Sequence, residues 1–412
     1  MILTTLQLEE FRSYRRLGID LPAAGLRIFG QNAGGKTSLL EAVYLLATMR
    51  SPRASSERET IHWESGVELG LPPYARVAAR IRHNRHETDI EVVLTVDEER
   101  GGALRKRVKL DGRPRRAIDA VGALKVVLFT PDDLNLILGS PSVRRRYLDI
   151  TLSQIDSTYL QALGQYGRLL EQRNSLLKEL GGRRPRDERA IEDQMAYWDA
   201  EIVTRGAYLL AQRLRYVHEV DRIAAEEFQG LARTDDRLGL RYSTTVTLPD
   251  ALRERVVEST LADAQAFVAR ALESDLHRLR PDELRRGVTL VGPHRDDLHF
   301  LLGGHELSAY GSRGQQRLAV VATKLAELRQ VVATTGERPV LLLDDVLSEL
   351  DPEHQERLLA ALGSAGCQIL ITATDRVLLD QPALAALPLV EARRGTLVWV
   401  EGEGAASASE PE

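Results

Sequence analysis

The run Gly30-Gln31-Asn32-Ala33-Gly34-Gly35-Lys36-Thr37 lies between an apolar stretch ending at Phe29 and a helix-patterned stretch from Lys36 to Thr48. This strand, glycine loop and helix constrain the fold more than any other feature, because they match the pattern GxxxxGK[ST] in full. Glycines permit a tight loop whose backbone N–H groups turn inward, and the following helix presents its positive end to the same concavity. A chain of phosphates fits there. The pattern assigns phosphate contacts to Gly30, Gln31, Asn32, Ala33, Gly34, Gly35, Lys36, Thr37 and Ser38, with Lys36 reaching the terminal phosphates and the Thr37 hydroxyl available to Mg²⁺.

Two later segments complete this chemistry. Val340 to Leu343 is an apolar strand that ends in Asp344 and Asp345. Asp344 is placed to hold Mg²⁺, directly or through water, and Asp345 to orient or deprotonate an attacking water. The segment Gly311-Ser312-Arg313-Gly314-Gln315-Gln316-Arg317 precedes an apolar-faced helix. Ser312, Gly314 and Gln315 thereby form a second cradle for a γ-phosphate. One nucleotide already has a cradle at 30–37, so the expectation is a dimer in which this loop closes over the nucleotide of the opposite subunit. Metal-assisted ATP hydrolysis by Lys36, Asp344 and Asp345 follows.

The 412 residues, 43% hydrophobic and 28% charged, suit two domains of a soluble α/β protein. Strand patterning covers Leu6 and Leu8, Leu21 to Phe29, 75–82, 90–96, 106–110 and Val126 to Thr130, with turns expected at Gly101-Gly102 and Asp111-Gly112. From 143 to 230 long charged helices take over, interrupted at Gly181-Gly182 and Pro185; a helix over 152–180 would be about 43 Å long and form an arm. Another helix is expected over 251–279. A strand at 287–291 and alternation of helix and strand at 314–333, 339–343, 352–362 and 367–372 restore the α/β pattern. The expected division is 1–142 and 286–400 as two parts of an ATPase head, 143–285 as an inserted helical arm domain, and 401–412 as a flexible acidic tail.

The N-terminus carries no export pattern and no apolar run approaches the roughly 20 residues that span a bilayer, so a cytoplasmic site without membrane partners is expected. The single cysteine, Cys367, reads as a packed thiol in a strand. A formal charge of -5 argues against nucleic acid as a partner, but the average conceals a patch. Arg105, Lys106, Arg107, Lys109, Arg113, Arg115 and Arg116 stand against one aspartate, and Arg144, Arg145 and Arg146 form a further cluster. These are candidates for DNA phosphates, with little base specificity. His294 reads as structural rather than catalytic. His62, His83 and His86 lack a liganding pattern, and Trp63 and Trp198 read as local core.

Taken together, Phe11-Arg12-Ser13-Tyr14, the 30–46 segment, Phe129-Thr130-Pro131-Asp132-Asp133, Arg144-Arg145-Arg146-Tyr147-Leu148-Asp149, Gly292-Pro293-His294-Arg295-Asp296-Asp297-Leu298, the 311–317 loop and Leu343 to Asp351 resemble the ABC-type ATPases of the SMC/Rad50 class. More closely they resemble the RecF family of bacterial DNA-repair proteins. The resemblance covers almost the whole chain. It implies an ABC-type P-loop head with an antiparallel β element. Within that head it makes Ser312 and Gly314 the opposite-subunit signature and Asp344 the Walker B residue, and it places a D-loop at 348–351. The segment 129–133 takes the place of a loop coupling nucleotide to arm, with Asp133 where wider ABC proteins have glutamine. It further implies recombinational repair at gapped or stalled replication DNA, association with the nucleoid or replication sites, and cooperation with RecR, with RecO in the same pathway.

Two departures qualify the resemblance. Wider ABC proteins commonly carry glutamate after the metal-binding aspartate, whereas Asp345 is one methylene shorter, which predicts slow hydrolysis. The switch histidine is absent from Ile371-Thr372-Ala373-Thr374-Asp375, where Thr374 either substitutes or caps the next helix. Two alternatives stand beside the repair clamp. Another SMC-like ATPase would carry a much longer coiled coil than this short insertion, and a nucleotide-stabilised scaffold would turn over little ATP.

Overall fold

A computed structural model describes residues 1–67, 70–84, 86–97, 102–181 and 188–400. Gly101, Gly182, Pro185 and the 401–412 tail lie outside the described residues. The chain divides into two compact units, one formed by Met1–Leu134, Gly230–Arg233 and the segment from Arg313 onward, the other by Asn135–Gln229 and Thr234–Ser312. The second unit thus begins before residue 143 and ends after residue 285.

The first unit holds two sheets of six strands. The antiparallel one runs β2-β1-β4-β5-β6-β7, from β1 (Ile2–Phe11), β2 (Tyr14–Asp20), β4 (Tyr74–Arg82), β5 (Glu87–Asp97), β6 (Ala103–Leu110) and β7 (Arg113–Arg115). Alternation of buried and accessible residues along β5 is what a sheet covered on one face requires. Asp111 and Gly112 join β6 to β7 with positive φ at both positions (51° and 73°), the backbone of a two-residue hairpin turn.

The other sheet runs β15-β14-β3-β13-β12-β8 and is parallel except for its edge strand β15 (Thr396–Trp399). Its members are β3 (Gly25–Phe29), β8 (Val126–Phe129), β12 (Val340–Asp344), β13 (Ile369–Ala373) and β14 (Leu389–Arg393). Every residue of β12 and β13 is buried, as unbroken apolar runs such as Val340-Leu341-Leu342-Leu343 demand of strands covered on both faces. Helix α1 (Lys36–Thr48) is buried almost all round, a segment with no polar face to offer water. The loops that leave β3, β12 and β13 emerge at one sheet edge, the carboxyl ends where open α/β sheets take ligands.

The second unit is mainly helical. Where one helix over 152–180 was expected there are two, α2 (Pro141–Ile155) and α3 (Ser157–Gly181). Asp156 breaks them by capping: its Oδ1 accepts from the N–H groups of Thr158 (2.8 Å) and Tyr159 (3.1 Å), and its Oδ2 from Tyr208 Oη and Gln212 Nε2 (both 2.6 Å). Helix α4 (Glu188–Ala232) runs antiparallel to α3, with Gln165 meeting Arg205, Arg173 meeting Asp199 and Leu177 near Met195. The expected helix over 251–279 is also two, α5 (Asp250–Glu258) and α6 (Leu261–Arg286), divided where Thr260 caps α6 through Asp263 N–H.

The strand expected at 287–291 is not formed. Gly287 ends α6 with a left-handed backbone (φ 67°), and the amides beyond it are taken by side chains: Thr289 N–H by Asn174, Leu290 N–H by Glu283 and Gly292 N–H by the Thr245 hydroxyl. A three-stranded sheet stands instead on β9 (Leu238–Ser243), β10 (Asp297–Leu302) and β11 (His305–Glu306), followed by α7 (Arg313–Thr335) and α8 (Pro352–Ala365) in the first unit. Among the described residues no helix is long and apolar enough to cross a membrane.

Candidate functional site

The loop after β3 owes its glycines to its neighbours. A Cβ on Gly30 or Gly34 would stand 2.4 Å or 2.6 Å from the Ala392 carbonyl oxygen of β14, and one on Gly35 (φ 111°) would stand 2.8 Å from Tyr14 Oη. Tyr14 donates its hydroxyl to the Gly35 carbonyl (3.1 Å), and burial pushes its phenol far above the usual range. Arg12, in the turn between β1 and β2 with φ 54°, grips Glu41 of α1 at 2.9 Å and 2.7 Å. The Arg12-Ser13-Tyr14 turn therefore braces both the loop and the helix that follows it.

Lys36 is buried and donates to the carbonyls of Gly30 (2.6 Å) and Gln31 (3.0 Å). Burial lowers its pKa, against the opposing pull of Asp345 and Asp344. Thr37 Oγ1 donates to Asp344 Oδ1 at 2.9 Å, and Thr372 Oγ1 of β13 donates to the same oxygen at 2.9 Å. A hydroxyl and a carboxylate in hydrogen-bond contact are hard oxygen donors, which suit Mg²⁺ more than a thiophilic ion. Asp345 takes a left-handed backbone (φ 53°), which aspartate tolerates better than most residues. Its N–H donates to Thr372 Oγ1 (3.1 Å) and its Oδ1 accepts from Thr374 N–H (3.4 Å).

Lys36, Thr37, Asp344, Asp345 and Thr374 face one cavity of about 630 Å³. Its wall contains residues 32–38, Asp344, Asp345, Thr374, Thr130, Pro131 and Asp132. Gly30 and Gln31 do not line it; Gly30 shapes the turn and both serve Lys36 through their carbonyls. Neither do Ser312, Gly314 and Gln315, of which Ser312 and Gly314 are exposed. Arg12, Ser13, Arg53, Glu59, Ile61 and Trp63 complete the wall and have no counterpart in the sequence-based assignments. Trp63, expected in a local core, is 81% exposed. Asp133 folds back so that Oδ2 accepts from Thr130 N–H (2.7 Å), and burial raises its pKa to about 6.

The basic patch separates into different groups. Arg105 pairs with Asp97 (2.8 Å), Lys106 with Glu57 (2.5 Å), Lys109 with Glu91 (2.7 Å) and Arg116 with Asp119 (2.8 Å). Among the described residues no carboxylate is in ion-pair reach of Arg107, Arg113 or Arg115, all exposed. Register divides them further: Arg113 and Arg115 lie opposite Leu110 and Val108, while Arg107 shares the other face with Arg105 and Lys109. Two members of the 144–146 cluster are engaged within the second unit. Arg144 clasps Asp297 at 2.6 Å and 2.8 Å, and Arg145 donates to the Asp296 carbonyl.

His294 accepts or donates at Nδ1 to the Tyr166 hydroxyl (2.8 Å), and burial lowers its pKa to about 4, which fits a structural imidazole. Among the described residues no group of three or more His, Cys, Asp or Glu side chains is arranged to hold a metal ion.

A phosphate loop and a strand-end aspartate brought together by one intervening parallel strand, in a unit that also carries a six-stranded antiparallel sheet, define an ABC-type ATPase head. The family model RecF/RecN/SMC N terminal domain matches residues 2–390. The chain belongs to the RecF family: it is 51% identical over 397 residues, 96% of its length and 99% of the relative's, to the DNA replication and repair protein RecF of Thermomicrobium roseum. The corresponding protein of Chloroflexus aurantiacus is 45% identical over 372 residues, covering 89% and 92% of the two chains. A solved structure of the recombination mediator protein RecF-ATP in the RecFOR pathway is similar with a TM-score of 0.82 and 27% identity over 97% of both chains.

Proposed function

We propose that the chain is an ATP-dependent DNA-binding clamp in recombinational repair of gapped or stalled replication DNA, acting as a Mg²⁺-dependent ATPase. Residues 30–38 take up ATP, and its γ-phosphate draws in Ser312, Gly314 and Gln315 of a second copy, so that two nucleotides are buried in one two-fold dimer. One observation carries this reading: Lys36, Thr37, Asp344 and Asp345 share a cavity that Ser312 and Gly314 do not enter, although both are exposed. Magnesium on Thr37 and Asp344 would neutralise charge developing on the β- and γ-phosphates. Water attacks the γ-phosphorus, the bond to ADP breaks, and Asp345 takes the water's proton. The short carboxylate makes this step slow, with DNA accelerating it. Losing the γ-phosphate loosens the grip across the dimer and reopens the clamp.

DNA phosphates meet the edge of the antiparallel sheet, foremost at Arg113 and Arg115. RecR is the protein partner, with RecO in the same pathway; the similarity to a RecF of the RecFOR pathway supports both. Residues 143–285 serve as the arm, and the site of action is the cytoplasm at the nucleoid or replication sites. The test is particle size with ATP, ADP and a nonhydrolysable analogue, each with and without duplex DNA, for the native chain and Ser312→Arg. Association is expected with ATP and the analogue only, and lost in the variant; a monomer under every condition overturns the clamp.

A further inference from the structure

Trp63, one of three tryptophans, is 81% exposed at the wall of the nucleotide cavity. A free indole in water needs a reason, since burying an aromatic ring is among the larger single gains a side chain can make. The ring is also held in place. His62, 6% exposed, stacks on it with ring centroids 4.4 Å apart and planes inclined by 28°. That imidazole is itself pinned, its Nδ1 accepting from Glu64 N–H at 3.1 Å.

The backbone beneath is stitched to the end of β1. Arg12 N–H donates to Thr60 O (2.7 Å), His62 N–H donates to Glu10 O (2.8 Å), and Ile61 bridges to Phe11. Arg12 Nη1 adds a bond to Glu59 O at 2.6 Å. The β1–β2 turn that carries Arg12 also carries Tyr14, which bonds Gly35 of the phosphate loop. One rigid turn thereby sets the indole and the phosphate cradle relative to each other.

We propose that Trp63 is the platform on which the base of the bound nucleotide stacks, its second face backed by His62. This rests on the ATP reading of the same cavity. Lys36 and the loop amides hold the phosphate end, and a flat, apolar, preformed surface in the wall of the same cavity matches the base end. The face of an indole attracts any purine, so the residue contributes affinity without distinguishing adenine from guanine. Val67 and Leu71 are also exposed but do not line the cavity, so they are no part of the platform.

The test titrates the full chain with Mg·ATP, Mg·GTP and Mg·tripolyphosphate, which has phosphates and no base, for the native protein, Trp63→Ala and Trp63→Phe. Expected for Trp63→Ala is a loss of roughly tenfold or more in affinity for ATP and GTP alike, as base–aromatic stacking supplies. Tripolyphosphate should bind unchanged, and Trp63→Phe should recover most of the nucleotide affinity. Equal ATP binding by Trp63→Ala and the native chain overturns the platform while leaving the phosphate site intact, as does a parallel loss of ATP and tripolyphosphate. Native protein that binds neither ligand overturns the ATP reading together with the platform.

Discussion

If DNA lies along the edge of the antiparallel sheet, the unpaired cations there should carry its salt dependence and the paired ones should not. Each phosphate contact contributes about 0.9 to the slope of log K against log salt on duplex DNA. Arg113→Gln with Arg115→Gln removes two exposed guanidiniums that share one face of β7 and, among the described residues, have no carboxylate in ion-pair reach. The slope should fall by about 1.8 per protomer, or about 3.6 where one duplex meets both copies of a dimer. Raising salt from about 50 to 200 mM would then shrink the native chain's advantage roughly tenfold per protomer. Arg105→Gln with Lys109→Gln removes the same formal charge from the opposite face, but both cations are committed to Asp97 and Glu91. Its slope should move by less than about 1. Fluorescence anisotropy of a labelled duplex, titrated with ATP at several salt concentrations, reads both slopes. Equal changes in the two variants, or none in the first, would refute the idea that internal pairing decides which cations reach DNA.

Three further outcomes are expected. Asp345→Asn keeps the carboxylate's shape but cannot take a proton, so ATP-dependent association should persist while phosphate release falls on the order of 100-fold or more; undiminished release would remove Asp345 from the chemistry. Arg173→Met empties the fully buried guanidinium that meets Asp199, Thr289 and Glu283, leaving Arg280, among the described residues, to offset two buried carboxylates. A loss of about 3–5 kcal/mol in denaturant unfolding is expected, and under about 1 kcal/mol would show that the cluster is solvated. His294 is held neutral, its pKa lowered from 6.5 to about 4. The unfolded chain therefore takes up the proton first, and this contribution to stability is complete above pH 6.5 and lost as pH falls toward 4, about 3 kcal/mol in full. His294→Gln should flatten the melting temperature between pH 7 and 5 relative to the native chain, and parallel declines would sink the assignment.

What could be seen in advance follows from how local the cause is. Helix Lys36–Thr48, the strand Gly25–Phe29 that leads into the phosphate loop and the apolar strand Val340–Asp344 depend on near-neighbour patterning and, at the loop, on glycines with a definite geometric purpose, and they form as expected. The meeting of Thr37 with Asp344 was legible because each segment separately implies the same ligand. Asp156 was not: ending a helix by capping depends on Tyr208 and Gln212 arriving from another helix. The 287–291 segment has the composition of a strand, but Asn174, Glu283 and Thr245 supply its hydrogen bonds, and no periodicity reports on side chains so far away. Trp63 misled for the opposite reason, since composition predicts that an indole is buried and cannot say that this one stands exposed in a cavity wall.

Two of the motifs that carry the resemblance, 144–149 and 292–298, lie in the second unit and not in the wall of the nucleotide cavity. Asp149 of the 144–149 segment accepts from Arg213 at 2.7 Å and from Tyr159 at 2.5 Å; Arg213 also donates to Tyr242 and to the Pro293 carbonyl; and Tyr242 closes the circuit on Asp296 at 2.9 Å. Arg144 and Asp297 add a bidentate pair beside it. Such a network tolerates little substitution, because deleting one member strands a buried charge or hydroxyl at a cost of several kcal/mol, whereas a solvated helix face accepts many residues. Resemblance carried by these letters is therefore evidence about the architecture of the second unit, and only through that architecture about function. The proposed nucleotide chemistry rests on Lys36, Thr37, Asp344 and Asp345, which line one cavity and belong to motifs that a far wider class of proteins shares. Fold and activity are thus inferred from separate sets of residues, so a variant that breaks the Asp149–Arg213–Asp296 network should unfold the second unit without altering the geometry of the cavity lined by Lys36 and Asp344.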